Sequence, residues 1–370
     1  MFIDSLKQHF ESVADPRQST KVTYPFFDIL FGSLCAVIAG AHGWFDIREY
    51  LLGHHKWFLE LGMFKAGIPA DDTIARTISA IKPEQFQACF LKWMAAVHTL
   101  TQGELIAIDG KTLRGSYNRE DRSSTIHMIS AYATANKLVL GQLKTDKKTN
   151  EITAIPELLQ LLDLQGALVS IDAMACQTKI AKTIIEQKGD YLLAVKGNQG
   201  NLSKAVQQAF SALRNDASSL EALQTEKQHG RIESRLCQVL DASTLEGNFS
   251  RWKGLKTLAM ITSFRTEKGK PVSMEYRYYI SSRIMSAEQV ASAVREHWAI
   301  ESMHWVLDVS MQEDACQIYK DHAAENLACL RHLALNMLRA EPTKLSIVGK
   351  QKRCWMKTEH LEKVDRKSVV

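Results

Sequence analysis

The chain has 370 residues, 45% hydrophobic and 24% charged, with 46 basic against 41 acidic side chains and a formal charge of +5. That balance excludes a disordered chain, allows one large domain or two to three ordinary ones, and leans mildly toward polyanionic partners. The seven cysteines (35, 89, 176, 237, 316, 329, 354) are scattered, odd in number and contain no Cys-x-x-Cys pair, which points to free thiols in a reducing cytoplasm and away from zinc. Met1-Phe2-Ile3-Asp4 lacks the basic and apolar blocks of a signal peptide. The longest apolar stretch, Phe26 to Ala41, carries Asp28 and falls short of the roughly 20 residues a bilayer span needs, so a cytoplasmic protein without a membrane partner is expected.

Residues 1 to about 98 read as helical. Asp15-Pro16-Arg17 and Tyr24-Pro25 punctuate the front, because a residue before proline is pushed out of helical geometry. One buried helix follows over Asp28 to Ala41, and another from Gly43 through His54-His55 to Leu61. Gly67-Ile68-Pro69 interrupts the pattern. Asp71-Asp72-Thr73 offers oxygens to cap a helix over Ile74 to Ile81, and Lys82-Pro83-Glu84 opens one more.

After Gly103 strands alternate with helices. Leu105-Ile106-Ala107-Ile108 is a short apolar run suited to a strand covered on both faces, and it ends on Asp109-Gly110-Lys111; taken alone, Asp-Gly also reads as a hairpin turn. Thr125 to Thr134 and Lys137 to Thr145 form two strands meeting at Ala135-Asn136. Asn150 to Leu162 is helical. Ala167 to Asp172 repeats the apolar strand closed by an aspartate, followed by a helix at Gln177 to Lys188, a strand at Asp190 to Val195 and a helix at Asn201 to Arg214. Three antiparallel strands followed by strand-helix alternation predict a mixed sheet with helices on its faces. Arg231 to Ser282 is β-rich, with strands at Arg235 to Leu240, Leu255 to Phe264 and Val272 to Ile280.

Ser286 to Gln312 reads as one helix, with Ser286 as its cap and Glu288 in its first turn. Val294, His297, Trp298, Glu301, His304, Trp305 and Asp308 lie within about 60° of one another's stripe centre, Glu301, so a carboxylate shares a face with two tryptophans. A buried glutamate needs a partner: an ion pair with histidine or lysine, or a cation. Asp109, Asp172 and Glu301 are thus candidates for one site. Hard oxygen ligands of this kind suit two Mg²⁺ or Mn²⁺ ions holding a phosphodiester for in-line displacement.

Ile106-Ala107-Ile108-Asp109-Gly110-Lys111-Thr112-Leu113-Arg114-Gly115, Val169 to Ala173, Leu193-Ala194-Val195-Lys196-Gly197-Asn198-Gln199, and His297 to Glu301 with Leu307-Asp308-Val309 together resemble the bacterial insertion-sequence DDE transposases, most closely the H-repeat-associated branch. The resemblance runs from about Asp15 to Arg339. It implies an α/β fold: an RNase H-like mixed sheet flanked by helices, with a β-rich insertion before the last catalytic residue and an all-helical N-terminal domain. The implied division is 1–98 (helical, transposase-associated), 99–230 (first part of the catalytic domain), 231–283 (β insertion), 284–342 (closing helices) and 343–370 (basic tail). It also implies that Asp109, Asp172 and Glu301 form the catalytic, metal-binding triad.

The implied activity is metal-dependent hydrolysis at element ends and joining of the freed 3′-hydroxyl to target DNA. Double-stranded DNA is the expected partner, with a homodimer on two ends and a place at the nucleoid. The alternatives are a silent DNA-binding remnant and a nuclease that cuts without joining. Lys111, Arg114, Lys196, Asn198 and Gln199 are expected to contact DNA from strand ends, while His297, Trp298, His304 and Asp308 support the glutamate. Where the wider superfamily has Tyr, Arg and Lys around its glutamate this chain has Val294, His297 and Asp308, and Ala70-Asp71 stands where the branch more often has Ser-His. The tail carries basic residues at 344, 350, 352, 353, 357, 363, 366 and 367, and is expected either to lie along DNA or to be a flexible charged end.

Overall fold

The computed structural model describes residues 2–97, 103–118, 120–121, 124–145, 151–213, 220–228, 231–267 and 271–367. The first ninety-odd residues form helices α1 (Phe2–Phe10), α2 (Phe26–Ile38), α3 (Trp44–Gly53), α4 (His55–Glu60), α5 (Asp71–Ala80) and α6 (Pro83–Val97). The expected helix from Gly43 to Leu61 breaks at His54, whose φ of −113° and ψ of 14° leave helical space. The helix expected at Ile74 instead begins at Asp71. Ala70 takes the extended cap conformation, so Asp71 and Asp72 act from within the first turn, where negative charge suits the helix dipole. Asp28, buried in α2, accepts the Phe64 N–H at 2.7 Å and so pins a residue with φ of +52°. Burial raises its pKa above the usual carboxylate range.

The sheet comprises β1 (Leu105–Thr112), β2 (His127–Ala133), β3 (Leu138–Thr145), β4 (Leu168–Ile171), β5 (Asp190–Val195), β6 (Leu220–Gln228), β7 (Arg231–Asp241), β8 (Thr257–Glu267) and β9 (Ser273–Ser281). Helices α7 (Glu151–Gln160), α8 (Thr178–Glu186) and α9 (Gly200–Leu213) intervene in the first half. Strand order is β3-β2-β1-β4-β5-β9-β8-β7-β6. The first five strands, antiparallel for β3-β2-β1 and parallel for β1-β4-β5, make the expected RNase H-like core. The β-rich stretch is not a separate layer: β9 pairs antiparallel with β5, and β8, β7 and β6 extend the same sheet. Strand β6, Leu-Glu-Ala-Leu-Gln-Thr-Glu-Lys-Gln, has no counterpart in the sequence reading, because Glu, Gln and Lys are poor strand formers. An edge position makes those charges tolerable, and they discourage edge-to-edge pairing.

The expected helix from Ser286 to Gln312 is three pieces: α10 (Ala287–His297), α11 (Ala299–Trp305) and a π-helical turn, Val306–Ser310. Ser286 and Gln289 form a reciprocal capping box at its start. Then α12 (Ala323–Ala340) runs through the centre of the molecule. Its Asn336 amide donates to the Val139 carbonyl and accepts from the Val139 N–H at 2.8 and 2.9 Å, capping edge strand β3. Its Asn326 donates to Ile78 and Ile81 carbonyls at the end of α5. The N-terminal helices and the sheet therefore share one continuous core.

The last segment is not a flexible tail. It folds as α13 (Ile347–Met356) and α14 (Thr358–Lys367), with Cys354, Leu361 and Val364 fully buried. Lys350 is buried and donates to the Leu338 carbonyl at 2.7 Å, Trp57 donates to Glu362 at 3.0 Å, and Trp355 lies edge-on to Tyr50. The many basic residues, of which Lys350 is buried and Lys352 and Arg353 are exposed, made this pair of helices look like a polar tail.

Candidate active site

Parallel strands β1 and β4 pair Ile108 with Ile171, so the residues that follow, Asp109 and Asp172, emerge side by side at adjoining strand positions. Open α/β sheets place ligands in such crevices at strand ends. The Asp172 carboxylate accepts the Met174 N–H at 3.0 Å and caps the turn Ala173–Ala175, which fixes its direction. Asp109 is held above the usual carboxylate range, at about 7. Burial is the main cause, and the nearby carboxylates Asp172, Glu151 and Glu301 add to it against a lowering backbone bond from Gly110. Among the described residues no lysine or arginine nitrogen comes within ion-pairing distance of Asp109, Asp172 or Glu301.

Glu301 was expected on a buried stripe and instead faces outward. In α11 the side chains of Ile300 and Met303 are fully buried, while Glu301 shares the exposed face with Trp298 and Trp305, which are 45% and 60% exposed. Partial burial raises its pKa, and the Arg277 guanidinium opposes the rise. Two histidines seat this region: His297 at the end of α10, whose Nδ1 is 3.0 Å from the Ser170 hydroxyl on β4, and His304 in α11, whose Nδ1 is 3.6 Å from Asp109 Oδ2. Burial, with help from Lys111 and His332, drives the His304 imidazole down to about 3, so beside Asp109 it is a neutral ring.

The five residues expected on DNA divide. Lys196 is exposed, and Arg114 is exposed with its backbone N–H donating to Asp314 at 3.2 Å. Asn198 donates to the Ala173 carbonyl at 2.7 Å, and Gln199 to the Cys176 carbonyl at 2.9 Å and Gln177 at 3.1 Å, so both hold the loop that follows Asp172. Lys111 is turned inward: its ammonium lies 2.5 Å from Asp308, 2.7 Å from Glu313 and 3.3 Å from Asp314. Asp308, expected to support the glutamate, is one end of that cluster.

Two features went unread. His127 and Glu151, both buried, meet at 2.5 Å directly beneath Gly110, where a Cβ would fall 2.3 Å from the Glu151 oxygen. Glu151 is set far from Asp109 along the chain, and no local pattern marks it. The acidic pair Glu313-Asp314, immediately after the predicted helix, did offer a signal. Beside α10 and α11 a groove of about 560 Å³ opens against strands β7 to β9, with Arg235, Arg277, Arg295 and Trp298 in its walls.

The donor set is oxygen-rich and short of resident positive charge, which fits a hard divalent cation. Among the described residues no three His, Cys, Asp or Glu side chains already converge as a ligand cage.

Residues 100–337 match the family model described as Transposase DDE domain, and residues 7–94 the model described as DDE_Tnp_1-associated. The chain belongs to the DDE transposase family. It is 45% identical to "H repeat-associated putative transposase YhhI" of Escherichia coli K12, over 98% of each chain. It is 46% identical to "Putative transposase YncI" of Escherichia coli O157:H7, over 98% of this chain and 95% of that one. Among solved structures it is similar to a chain of a piggyBac transposase synaptic complex with hairpin DNA, at 12% identity and a TM-score of 0.46 over 99% of this chain and 77% of that one. The transposase match agrees with the family resemblance of the four motifs. No described helix of this transposase-family chain is long and apolar enough to cross a membrane.

Proposed function

We propose that the protein is an insertion-sequence transposase that nicks DNA at element ends and joins the freed 3′-hydroxyl to target DNA, with Asp109, Asp172 and Glu301 as its catalytic carboxylates. The observation that carries this reading is the pairing of Ile108 with Ile171, which sets two aspartates side by side, and the rise of the Asp109 pKa to about 7, caused first by burial and then by Asp172, Glu151 and Glu301, accompanies it. Carboxylates that repel one another at a strand-end crevice store a demand for positive charge. Mg²⁺ or Mn²⁺ held there would supply the charge that activates the attacking oxygen and stabilises the leaving one.

The chain's own residues do the rest. With a cation bound, Asp109 would be held in its deprotonated, ligating form. Asp172 is held in place by the Met174 N–H, and Glu301 approaches from the exposed face of α11. Neutral His304 closes the inner side of the site without adding a competing cation. Two copies acting on two DNA ends would complete the reaction.

The test uses a supercoiled plasmid carrying this reading frame with its native flanking DNA. Wild-type protein with Mn²⁺ should nick and join it, and Asp109→Asn and Glu301→Gln should bind it without cutting. Binding without cutting by all three proteins would mark a silent remnant, and cutting without joining a nuclease.

A further inference from the structure

The family match assigns no role to Lys111, and the sequence reading put it on DNA. The structure gives it different partners. Lys111 stands two residues beyond Asp109 on β1, so the two side chains leave the same face of the strand. Its side chain is only 9% exposed, and its ammonium touches three carboxylates, Asp308, Glu313 and Asp314, all from the segment that continues directly out of α11. The ammonium donates to Glu313 and Asp314 and forms an ion pair with Asp308.

A second contact grips the same segment. Gly115, in the turn after β1, has no room for a Cβ: it would fall 2.4 Å from the Cys316 carbonyl oxygen and 2.7 Å from that of Asp314. The Arg114 N–H also donates to Asp314. The strand that carries Asp109 and the segment that continues from Glu301's helix are therefore fastened together through Asp308, in a π-helical turn of otherwise uncommon geometry, and through Glu313, Asp314 and Cys316 just beyond it.

We infer that Lys111 is a positioning residue: it clamps the Asp308–Asp314 segment to β1 and so sets where Glu301 stands relative to Asp109, without touching DNA. This rests on the proposed triad. Removing the ammonium strips Glu313, which is 1% exposed, of its direct ion-pair partner and leaves only the charges of Arg331 and His332 against burial and the neighbouring carboxylates, and the segment is expected to lift away. A lysine on a phosphate predicts something else: weaker DNA binding and a salt dependence shallower by about one ion.

The experiment compares full-length wild type, Lys111→Gln, Lys111→Arg and Asp308→Asn. In Lys111→Gln, hydrogen exchange measured without DNA should be at least about tenfold faster across residues 299–314, with α12 unchanged. Its affinity for the plasmid substrate and its salt slope should match wild type, while the nicking rate at saturating Mn²⁺ falls at least about tenfold. Lys111→Arg, which keeps the charge, should recover most of that rate. Asp308→Asn removes only the half-exposed arm of the clamp, and should shift the same readouts in the same direction by less. It carries the test if Lys111→Gln does not fold. Unchanged exchange in 299–314 would overturn the inference, as would lost DNA affinity with a shallower salt slope. If wild type itself does not nick, the triad reading fails, and the exchange measurement still decides the clamp.

Discussion

Two sets of three carboxylates, the Lys111 cluster and the proposed triad, differ in one respect. Asp308, Glu313 and Asp314 surround an ammonium; Asp109, Asp172 and Glu301 surround no lysine or arginine among the described residues. The contrast shows at the most buried member of each set, whereas Asp308, at the half-exposed rim, is raised by burial in spite of Lys111. Glu313, although deeply buried, is held below the usual glutamate range because Lys111, His332 and Arg331 outweigh the cost of burial, whereas Asp109 is held at about 7. A charge matched by an internal cation is part of the fold, while an unmatched one asks for a cation from outside. The ion-paired strands β6 to β9 fall on the matched side, with Arg235, Arg265 and Arg295 each against Glu233 or Glu226.

The largest effect that can break this comparison is Asp109→Asn. If the unmatched triad is functional, nicking should fall on the order of 10³-fold or more. The same change should raise the melting temperature of the metal-free protein. Because the folded pKa of Asp109 lies above its unfolded value, the stability it contributes is complete below about pH 4 and is lost as pH rises through about 7. The gain should therefore be larger at pH 8 than at pH 5, and a variant less stable than wild type at pH 8 would contradict it.

Next in size is Gly115→Ala, which forces a Cβ against two backbone carbonyls of the clamped segment. A loss of about 1–3 kcal/mol in denaturant unfolding is expected, and faster nicking would be incompatible with the clamp. Glu325 sharpens the comparison outside the site. Burial raises it to about 7, only partly offset by Lys144, and Glu84 adds to the rise. Glu325→Gln should stabilise the protein by on the order of 2 kcal/mol at pH 8 and less at pH 5, with no change in nicking. The smallest effect belongs to the matched, exposed pairs: Arg265→Ala should shift stability by less than about 0.5 kcal/mol, screened further by salt.

The core of the fold was legible because apolar runs such as Leu105–Ile108 and Leu168–Ile171 are short, continuous and each end on an aspartate. Local pattern cannot convey partners that arrive from far along the chain. Lys111 looked like a surface cation because the residues that bury it lie some two hundred positions later. Glu301 was assigned to a buried stripe because two tryptophans share its face, yet those indoles stay exposed while Ile300 and Met303 take the interior. Strand β6 was unreadable for the opposite reason: its residues dislike strands, and only the neighbouring β7 makes them one.

The last two helices bear on how the protein is made. Leu361 and Val364 belong to the core shared with the N-terminal helices, and Glu362 bonds Trp57 across some three hundred residues. During translation the opening bundle waits, unfinished, until nearly the whole polypeptide has left the ribosome, with apolar surface uncovered throughout. A reading frame interrupted before codon 347 would thus deliver all three proposed carboxylates and still yield a chain that chaperones and proteases meet as an incomplete product.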